Sequence, residues 1–133
     1  TVEKEIKFGA KSDEYADEIA EKFGIKHLYA RHPQSLSEGQ KRRVSIAAVV
    51  ATDPEVLILD EPTVGQDYKG LCEMVEVLNK LHEEAHNTMI TVTHDKRCAA
   101  ALCDKSVWIK NGKTYKTGGK ELVDEFFIQI GVN

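Results

Sequence analysis

The segment from residue 56 to residue 95 constrains the fold most strongly. An uninterrupted apolar stretch runs from Val56 to Leu59, an amphipathic helix is predicted from Tyr68 to Glu84, and a second strand is predicted from Met89 to Thr93. Short apolar stretches of the first kind are typical of parallel strands that are covered on both faces. Strand, helix and strand in this order predict a right-handed βαβ unit, and therefore an α/β fold.

The flanking segments carry their own boundary signals. Ser12 is a predicted N-cap of a helix that Gly24 ends, and Ser37 with Gln40 fits a capping box at the start of a second helix. The second helix has a face of small residues and is expected to pack against a flat surface. Further predicted elements are a loop at 32–35, a stop at Asp53-Pro54, a helix from Lys96 to Leu102, a strand from Ser106 to Ile109, a hairpin turn at Asn111-Gly112, a strand from Thr114 to Thr117 and a helix from Lys120 to Ile130.

Composition excludes several classes of protein. The 133 residues suit one domain, and 18 Lys and Arg against 22 Asp and Glu leave a net charge of −4, which predicts no nucleic-acid-binding stripe. The longest apolar stretch, residues 46–51, is far shorter than the roughly 18 residues that a membrane span needs. Cys72, Cys98 and Cys103 lack Cys-x-x-Cys spacing, which favours reduced thiols buried as small apolar side chains.

Asp60, Glu61 and His94 follow the two predicted strands at their carboxyl ends. Ligands of open parallel sheets bind beyond these ends, and neighbouring strands lie about 4.7–4.9 Å apart. The three side chains are therefore expected to share one cleft, in which a divalent metal such as Mg²⁺ meets one carboxylate and a water meets the other. The alternative is that Asp60 caps the next turn, Glu61 faces solvent and His94 is an ordinary loop residue.

The segment around Ser37 and Gly39 has the outline of a phosphate site. Helix N-termini present unpaired N–H groups and a partial positive charge, and a glycine there allows an anion to approach closely. A capping box without a ligand explains Ser37 and Gln40 equally well. The basic residues at 41–43 serve an anion or a partner, or they form a solvated basic face.

Four segments in this order resemble the ABC ATPase family. Leu36-Ser37-Glu38-Gly39-Gln40 resembles its signature motif, the stretch ending in Asp60-Glu61-Pro62-Thr63 its Walker B motif, Val64-Gly65-Gln66-Asp67 its D-loop, and His94 its switch histidine. The opening residues 1–9 are similar to the segment after the Q-loop in the cobalt and energy-coupling-factor importer subgroup. The resemblance covers essentially the whole chain.

The resemblance implies a role for each candidate residue within one site. Asp60 would help to hold Mg²⁺, Glu61 would act as general base on the attacking water, and His94 would contact the γ-phosphate and position that water. These roles agree with the physical reasoning from the strand ends.

The resemblance also implies contacts with a second subunit. Ser37, Gly39 and Gln40 would bind the γ-phosphate of ATP that a facing subunit holds, and Asp67 would lie at that dimer interface. Glu38 stands where the family more usually has glycine, and it adds a negative charge near the phosphate.

The P-loop of this family, G-x-x-x-x-G-K-[ST], is not present in the chain. Gly112-Lys113-Thr114 supplies its last three letters, but Val107 stands in place of the first glycine and the triplet follows a predicted hairpin turn. The expected fold class is thus α/β, a partial P-loop NTPase fold: a helical subdomain at 1–52 and, at 53–133, the C-terminal part of the mainly parallel catalytic sheet with a terminal hairpin. Thr1 is expected to be a cut end.

These expectations define a C-terminal fragment of an ABC transporter ATP-binding subunit. In the intact complex, ATP hydrolysis with Mg²⁺ would drive import of a metal ion or vitamin, and the fragment alone would be inactive. The implied partners are a second ATPase subunit and integral membrane transporter subunits, which would place the protein on the cytoplasmic face of the cell membrane. Free strand edges predict self-association of the fragment.

The sequence is also compatible with three other functions. A non-catalytic partner or regulatory half-domain would keep the signature surface without binding nucleotide. A zinc hydrolase is suggested by His82-Glu83-Glu84-Ala85-His86, which matches H-E-x-x-H but falls at a helix end without an obvious third ligand. A DNA-repair ABC ATPase would share the signature helix, but the acidic balance and residues 1–9 argue against it.

Overall fold

The computed structural model describes residues 1–84 and 87–131. No helix in these ranges is long and apolar enough to cross a membrane. Short 3₁₀ helices lie at Lys26–Leu28 and Pro33–Ser35. The other elements are α1 (Val2–Lys7), α2 (Asp13–Lys22), α3 (Glu38–Val50), β1 (Val56–Asp60), α4 (Tyr68–Glu84), β2 (Thr88–Val92), α5 (Lys96–Leu102), β3 (Ser106–Lys110), β4 (Lys113–Gly118) and α6 (Lys120–Gln129).

The first helix, α1, has no counterpart among the predicted elements. Its six residues are too few to show helical periodicity, and their alternating charge hides two apolar positions one turn apart. Val2 and Ile6 nevertheless have no exposed surface. Packing against α2 and α3, and a hydrogen bond from the Val2 N–H to the Arg31 carbonyl at 3.0 Å, hold the helix in place. Tertiary contacts rather than local propensity stabilise α1.

Helix α2 has the ends that its sequence predicts. The Ser12 hydroxyl accepts a hydrogen bond from the Tyr15 N–H at 3.1 Å, which satisfies one free donor of the first turn. Gly24 follows the helix with a φ of 65°, the left-handed conformation in which the chain leaves a helix most easily. Ile19 and Phe23 are buried.

The predicted capping box is present at the start of α3. The surface against which α3 packs is formed mainly by other helices. The buried side of α3 includes Val44, Ala47 and Val50. This side packs mainly against α1 and α2 and has fewer contacts with β1. The flat surface that the small residues predict is therefore formed mostly by two helices. The loop predicted before α3 contains a 3₁₀ helix, which begins with the His32 Nδ1 accepting a hydrogen bond from the Gln34 N–H at 3.3 Å.

The βαβ unit is confirmed, and the bounds of α4 are those predicted. Strands β1 and β2 pair in parallel, with Asp60 opposite Val92 at their carboxyl ends. On α4, Leu78 and Leu81 are buried as predicted, together with Met74, whereas two other predicted core positions are only half-buried.

The prediction that β1 is covered on both faces is wrong for the described residues. Leu57 and Leu59 are buried, but Ile58 is 66% exposed. Val56 and the β2 residues Ile90 and Val92 are each about half exposed, which gives the parallel pair one bare apolar face. The apolar sequence of β1 is that of a strand with both faces buried, but in the described part of the chain only one face is buried.

The predicted hairpin forms after α5. Asn111 and Gly112 have φ values of 51° and 71°, as a tight two-residue hairpin turn requires, and β3 pairs with β4 in antiparallel orientation. Trp108 on β3 packs edge-on against Phe126 of α6, with ring centroids 5.1 Å apart. The two-stranded sheet β3–β4 is separate from the sheet β1–β2.

The chain forms two compact units, Thr1–Val92 and Thr93–Asn133. The first contains α1 to α4 with the parallel sheet, and the second contains α5, the hairpin and α6. The predicted boundary of a helical subdomain at residue 52 stays a prediction.

The three cysteines differ in environment, which corrects the prediction that all are core residues. Cys98 is buried and Cys103 is half-buried, but Cys72 is exposed. The buried side of α4 runs from Gly70 through Met74 to Leu78, at helical spacing, and Cys72 lies on the other side of the helix.

The Tyr29 hydroxyl provides a test of the packing between α2 and the following 3₁₀ helix. It donates a hydrogen bond to Asp17 Oδ1 at 2.9 Å. Partial burial and this bond raise the pKa of Tyr29 above 10.0, and the same bond lowers the pKa of Asp17 below 3.8. Stabilisation by the pair is therefore lost as the pH falls through the folded pKa of Asp17, or rises through that of Tyr29.

We expect Tyr29→Phe to lower the free energy of unfolding modestly between about pH 4 and pH 10, with a difference from the native chain that shrinks outside this window. Urea unfolding at several pH values measures the difference. Tyr15→Phe, on α2, is the control, because no hydrogen bond of the Tyr15 hydroxyl is found among the described residues. A constant difference across the pH range would contradict the assignment.

Candidate functional site

Asp60 and Glu61 lie at the carboxyl end of β1, as predicted. Asp60 is the last strand residue and is exposed, and Glu61 is half-buried. The Glu61 N–H donates to the Val92 carbonyl at 2.8 Å, which continues the bonding between the strands by one residue. Pro62 and Thr63 behind them are buried. The two acidic residues therefore stand next to each other at the carboxyl end of the parallel sheet.

The backbone of Glu61 is strained. Its φ is 47°, in the left-handed region that costs a residue with a Cβ about 1–2 kcal/mol. The bond to Val92 and a second bond, from the Val64 N–H to the Glu61 carbonyl at 3.2 Å, hold this conformation. Strain of this kind clusters at functional sites because the surrounding structure maintains it to aim a side chain. The observation favours a functional Glu61 over a solvent-facing one.

His94 lies two residues beyond the end of β2, in the second unit. The segment around it is ordered by its neighbours: the Asp95 N–H donates to Thr93 Oγ1 at 3.0 Å, and Asp95 Oδ1 caps α5 by accepting from the Cys98 N–H at 2.8 Å. Asp60 and Glu61 belong to the first unit. The cleft that His94 is predicted to share with them stays a prediction.

The first turn of α3 is closed by a reciprocal pair of hydrogen bonds. Ser37 Oγ accepts from the Gln40 N–H at 3.3 Å, and Gln40 Oε1 accepts from the Ser37 N–H at 3.1 Å. Because the Ser37 oxygen acts as acceptor, its own hydrogen is still available as a donor. Ser37 is exposed, so the same residue has the geometry of a cap and of a donor to an anion.

Gly39 makes a close contact that its sequence position does not reveal. A Cβ on Gly39 would lie 3.0 Å from the Gly65 carbonyl oxygen, which is tighter than ordinary contacts. In addition, the Gln66 Nε2 donates to the Gly39 carbonyl at 2.9 Å. The absence of a side chain at Gly39 therefore allows segment 64–67 to pack closely against the start of α3. From the sequence alone, the glycine was expected to allow the approach of an anion.

Glu38, the acidic residue in this turn, has a partner. Its side chain is 81% exposed and accepts a hydrogen bond from Lys41 Nζ at 2.8 Å. This bond lowers the pKa of the Glu38 carboxyl. Lys41 therefore offsets part of the negative charge that Glu38 places beside the helix N-terminus.

Arg43 is one of the three basic residues at 41–43, and the prediction that they form a solvated basic face is wrong for it. Its side chain is only 19% exposed. It donates to Gln66 Oε1 at 3.4 Å, to the Gly70 carbonyl at 3.3 Å and to Glu73 Oε2 at 2.8 Å. A glycine at 70, inside a predicted helix, is the one sequence signal of this close packing.

Asp67 acts as the cap of α4. Its Oδ1 accepts from the Gly70 N–H at 2.7 Å, and its side chain lies on an exposed segment together with Val64 and Gly65. Through Gln66 this segment is bonded to the start of α3. The structure thus brings Ser37, Gly39, Gln40 and Asp67 into one surface of the first unit.

The two short patterns that suggested other functions have different outcomes. Gly112-Lys113-Thr114 lies at the hairpin turn and the start of β4, as predicted. Of the H-E-x-x-H pattern, His82 to Glu84 end α4, and Ala85 and His86 lie outside the described residues. Within residues 1–84 and 87–131, no group of three or more His, Cys, Asp or Glu side chains is placed to hold a metal ion.

Comparison with known proteins gives consistent similarities. A sequence model of the ABC transporter family matches residues 1–64. The energy-coupling factor transporter ATP-binding protein of Enterococcus faecalis is 42% identical over 132 residues, which covers 92% of this chain and 46% of that protein.

Two solved structures share the fold. The structure of cbiO1 from Clostridium perfringens, part of the ABC transporter complex cbiONQ, has a TM-score of 0.72 and 35% identity, over 88% of this chain and 48% of that chain. The dimeric ATP-binding cassette MJ0796, in a post-hydrolysis state bound to ADP and Pi, has a TM-score of 0.73 and 30% identity, over 81% of this chain and 47% of that chain. The chain spans slightly less than half the length of these proteins.

Proposed function

We propose a function from one premise: the chain belongs to the ABC transporter ATPases and spans part of one ATP-binding subunit. The complete subunit binds ATP with Mg²⁺ and hydrolyses it, and the transporter that contains it uses this reaction to import a metal ion or a vitamin. Similarity to an energy-coupling factor subunit and to cbiO1 supports the importer class.

The observation that carries the proposal is the joined surface formed by the first turn of α3 and segment 64–67. Ser37 and Asp67 are exposed on it, and the bond from Gln66 to the Gly39 carbonyl holds its two parts together. A surface built from a helix N-terminus and an adjacent loop fits the γ-phosphate of a nucleotide that a second, facing subunit holds. The dimeric cassette MJ0796 supports this arrangement.

The residues of this surface fit a phosphate group. In the described structure, no hydrogen bond has the Glu38 or Gly39 backbone N–H as its donor, and the Ser37 hydroxyl hydrogen can donate as well. Ser37, Gly39 and Gln40 bind the phosphate from these donors and from the Gln40 amide. Asp67 lies beside them at the subunit interface.

Asp60 fits a magnesium ion. It is an exposed carboxylate at the end of a strand, and Mg²⁺ binds proteins through one or two carboxylates while it keeps waters and substrate phosphates as its other ligands. Asp60 holds the ion directly or through water. When bound, Mg²⁺ and ATP supply charge neutralisation and the phosphoryl group that is transferred.

Glu61 and His94 perform the hydrolytic chemistry. Glu61 accepts a proton from the attacking water as general base, and its fixed, left-handed backbone conformation aims the carboxylate at that water. His94 donates a hydrogen bond to the γ-phosphate and positions the same water. Both residues follow the carboxyl ends of the paired strands β1 and β2.

The partners follow from the same proposal. The subunit forms a dimer with a second ATPase subunit, identical or homologous, and docks on integral membrane subunits at the cytoplasmic face of the cell membrane. Those membrane subunits select the transported substrate. The chain alone is inactive, because the P-loop that carries most phosphate contacts is not among its 133 residues.

Ser37→Ala tests the phosphate role against a purely structural cap. In the complete subunit we expect kcat/KM for ATP hydrolysis to fall about 10- to 100-fold, which corresponds to the loss of one hydrogen bond to a charged group. Phosphate release with MgATP measures the rate. The isolated 133-residue chain, assayed alongside, should show no turnover.

Ser12→Ala is the matched control. Ser12 caps α2 as Ser37 caps α3, so each substitution costs about 1 kcal/mol of helix stability. Only Ser37→Ala should impair hydrolysis. If the two variants hydrolyse ATP equally fast, Ser37 acts only as a helix cap. If the complete native subunit hydrolyses no ATP, the alternative of a regulatory half-domain is favoured.

A further inference from the structure

The Gln66 side chain uses both ends of its amide group to join two elements. Its Nε2 donates to the Gly39 carbonyl at 2.9 Å, and its Oε1 accepts from Arg43 Nε at 3.4 Å. The Gly39 carbonyl belongs to the same peptide group as the Gln40 N–H, which is bonded to Ser37 Oγ. Gln66 therefore fixes the orientation of the peptide group at the centre of the α3 first turn.

Arg43 anchors this arrangement from one turn further along α3. Besides Gln66, its guanidinium bonds the Gly70 carbonyl at 3.3 Å and Glu73 Oε2 at 2.8 Å, both on α4. The hydrogen bond from Arg43 lowers the pKa of Glu73, so the carboxylate partner stays ionised at neutral pH. One planar group thus links α3, segment 64–67 and α4.

Gly70 provides the space that these side chains occupy. A Cβ on Gly70 would lie 2.6 Å from Gln66 Oε1, 3.0 Å from Asp67 Oδ1 and 3.3 Å from an Arg43 nitrogen. Glycine is an unfavourable residue in a helix, and Gly70 lies in the first turn of α4 at an ordinary helical φ. The packing of Gln66 and Arg43 is a sufficient reason for a glycine at this position.

We propose that Gln66 and Arg43 are positioning residues that lock the first turn of α3 to segment 64–67, in the space left by Gly70. This arrangement, the Gln66 clasp, presents the phosphate-binding turn and the interface segment to the facing subunit as one rigid surface. The inference rests on the proposed function, because it assigns to these residues a role in the ATP hydrolysis that the surface supports. Neither side chain touches the nucleotide.

Three variants of the complete subunit test the clasp. Gln66→Leu keeps the size of the side chain and removes both hydrogen bonds. Gln66→Glu keeps the acceptor for Arg43 but removes the Nε2 donor and places a carboxylate against the Gly39 carbonyl. Gly70→Ala leaves both partners in the sequence and displaces the Gln66 amide with a methyl group.

We expect kcat for ATP hydrolysis to fall about tenfold in all three variants, with less than a twofold change in KM. KM should change little because the clasp has no contact with the nucleotide that its own subunit binds. kcat should fall because the clasp orients the donors that act on the nucleotide of the facing subunit. Combining Gln66→Leu with Arg43→Lys should cost less than the sum of the two single losses, because both substitutions remove the bond between Gln66 and Arg43, whereas only Arg43→Lys disturbs the bonds to Gly70 and Glu73. Lys80→Ala, which breaks the exposed pair Lys80–Glu76 on α4, is the control and should keep the native rate.

Urea unfolding separates positioning from simple destabilisation. Gly70→Ala adds a better helix former, which offsets part of the cost of displacing Gln66 Oε1 and Asp67 Oδ1, so its unfolding midpoint should fall less than that of Gln66→Leu. A loss of kcat in Gly70→Ala without a matching loss of midpoint reports on position. If kcat falls only in step with the midpoint, the clasp is merely structural and the inference is wrong. The inference is also overturned if all three variants hydrolyse ATP at the native rate while Ser37→Ala is impaired, an outcome that leaves the proposed function intact. If the native subunit hydrolyses no ATP, both fail.

Discussion

Glu61→Gln is expected to lower ATP turnover by the complete subunit by about 10²- to 10⁴-fold, the usual contribution of general base catalysis, while nucleotide binding is retained. Glutamine has the shape of glutamate but cannot take the proton of the attacking water. Glu61 follows β1 in a left-handed conformation that bonds to Val92 and Val64 hold, so the substituted side chain should keep its direction. Phosphate release measures turnover, and calorimetry with MgATP measures binding.

Glu55→Gln is the control for this experiment. Glu55 is exposed and precedes the same strand at its opposite end, and the substitution makes the same chemical change. It should leave turnover unchanged. If the Glu61→Gln subunit hydrolyses ATP at the native rate, Glu61 is not the general base. If the variant instead loses MgATP binding, Glu61 contributes to nucleotide affinity.

Ile6→Ala is expected to lower the free energy of unfolding by about 2–5 kcal/mol, the usual cost of truncating a buried aliphatic side chain to alanine. Ile6 has no exposed surface and lies on α1, which packs against α2 and α3. The cavity left behind would lie under the helix that carries Ser37. Urea unfolding of the chain measures the loss.

Phe8→Ala, two residues away, is the matched control. Phe8 is 87% exposed, so its truncation should change the free energy of unfolding by less than about 0.5 kcal/mol. The sequence alone would rank the two substitutions in the opposite order, since phenylalanine is the larger apolar residue. Equal effects of the two variants would show that α1 does not pack as described.

Some parts of the fold were predictable because their causes are local. Ser12, the capping box of Ser37 and Gln40, and the Asn111-Gly112 turn act over three or four residues, and each element they bound was found where expected. The i, i+3 and i+4 spacing of apolar residues likewise predicted both ends of α4. The carboxyl-end placement of Asp60 and Glu61 followed from the parallel pairing of two strands.

The errors share the opposite cause. Helix α1 is stabilised by packing that its six residues do not encode, and the outer position of Cys72 depends on which side of α4 is covered. Strand β1 has the sequence of a strand buried on both faces, yet Ile58 is exposed, because burial depends on what packs against the strand and not on the strand alone.

In the candidate site, too, the residues that local patterns could predict differ from those that only tertiary contacts explain. Residue types at a helix N-terminus and at strand ends were enough to select Ser37, Asp60, Glu61 and His94 as candidates, since that chemistry is a property of each short segment. Asp67 was added by the resemblance to the ABC ATPases. The reason for Gly39 and the roles of Arg43, Gln66 and Gly70 came from folding alone. Gly39 and Gln66 are 27 residues apart in the chain and 2.9 Å apart between their bonded atoms. No local pattern records such a contact, because it forms only when α3 and segment 64–67 pack together.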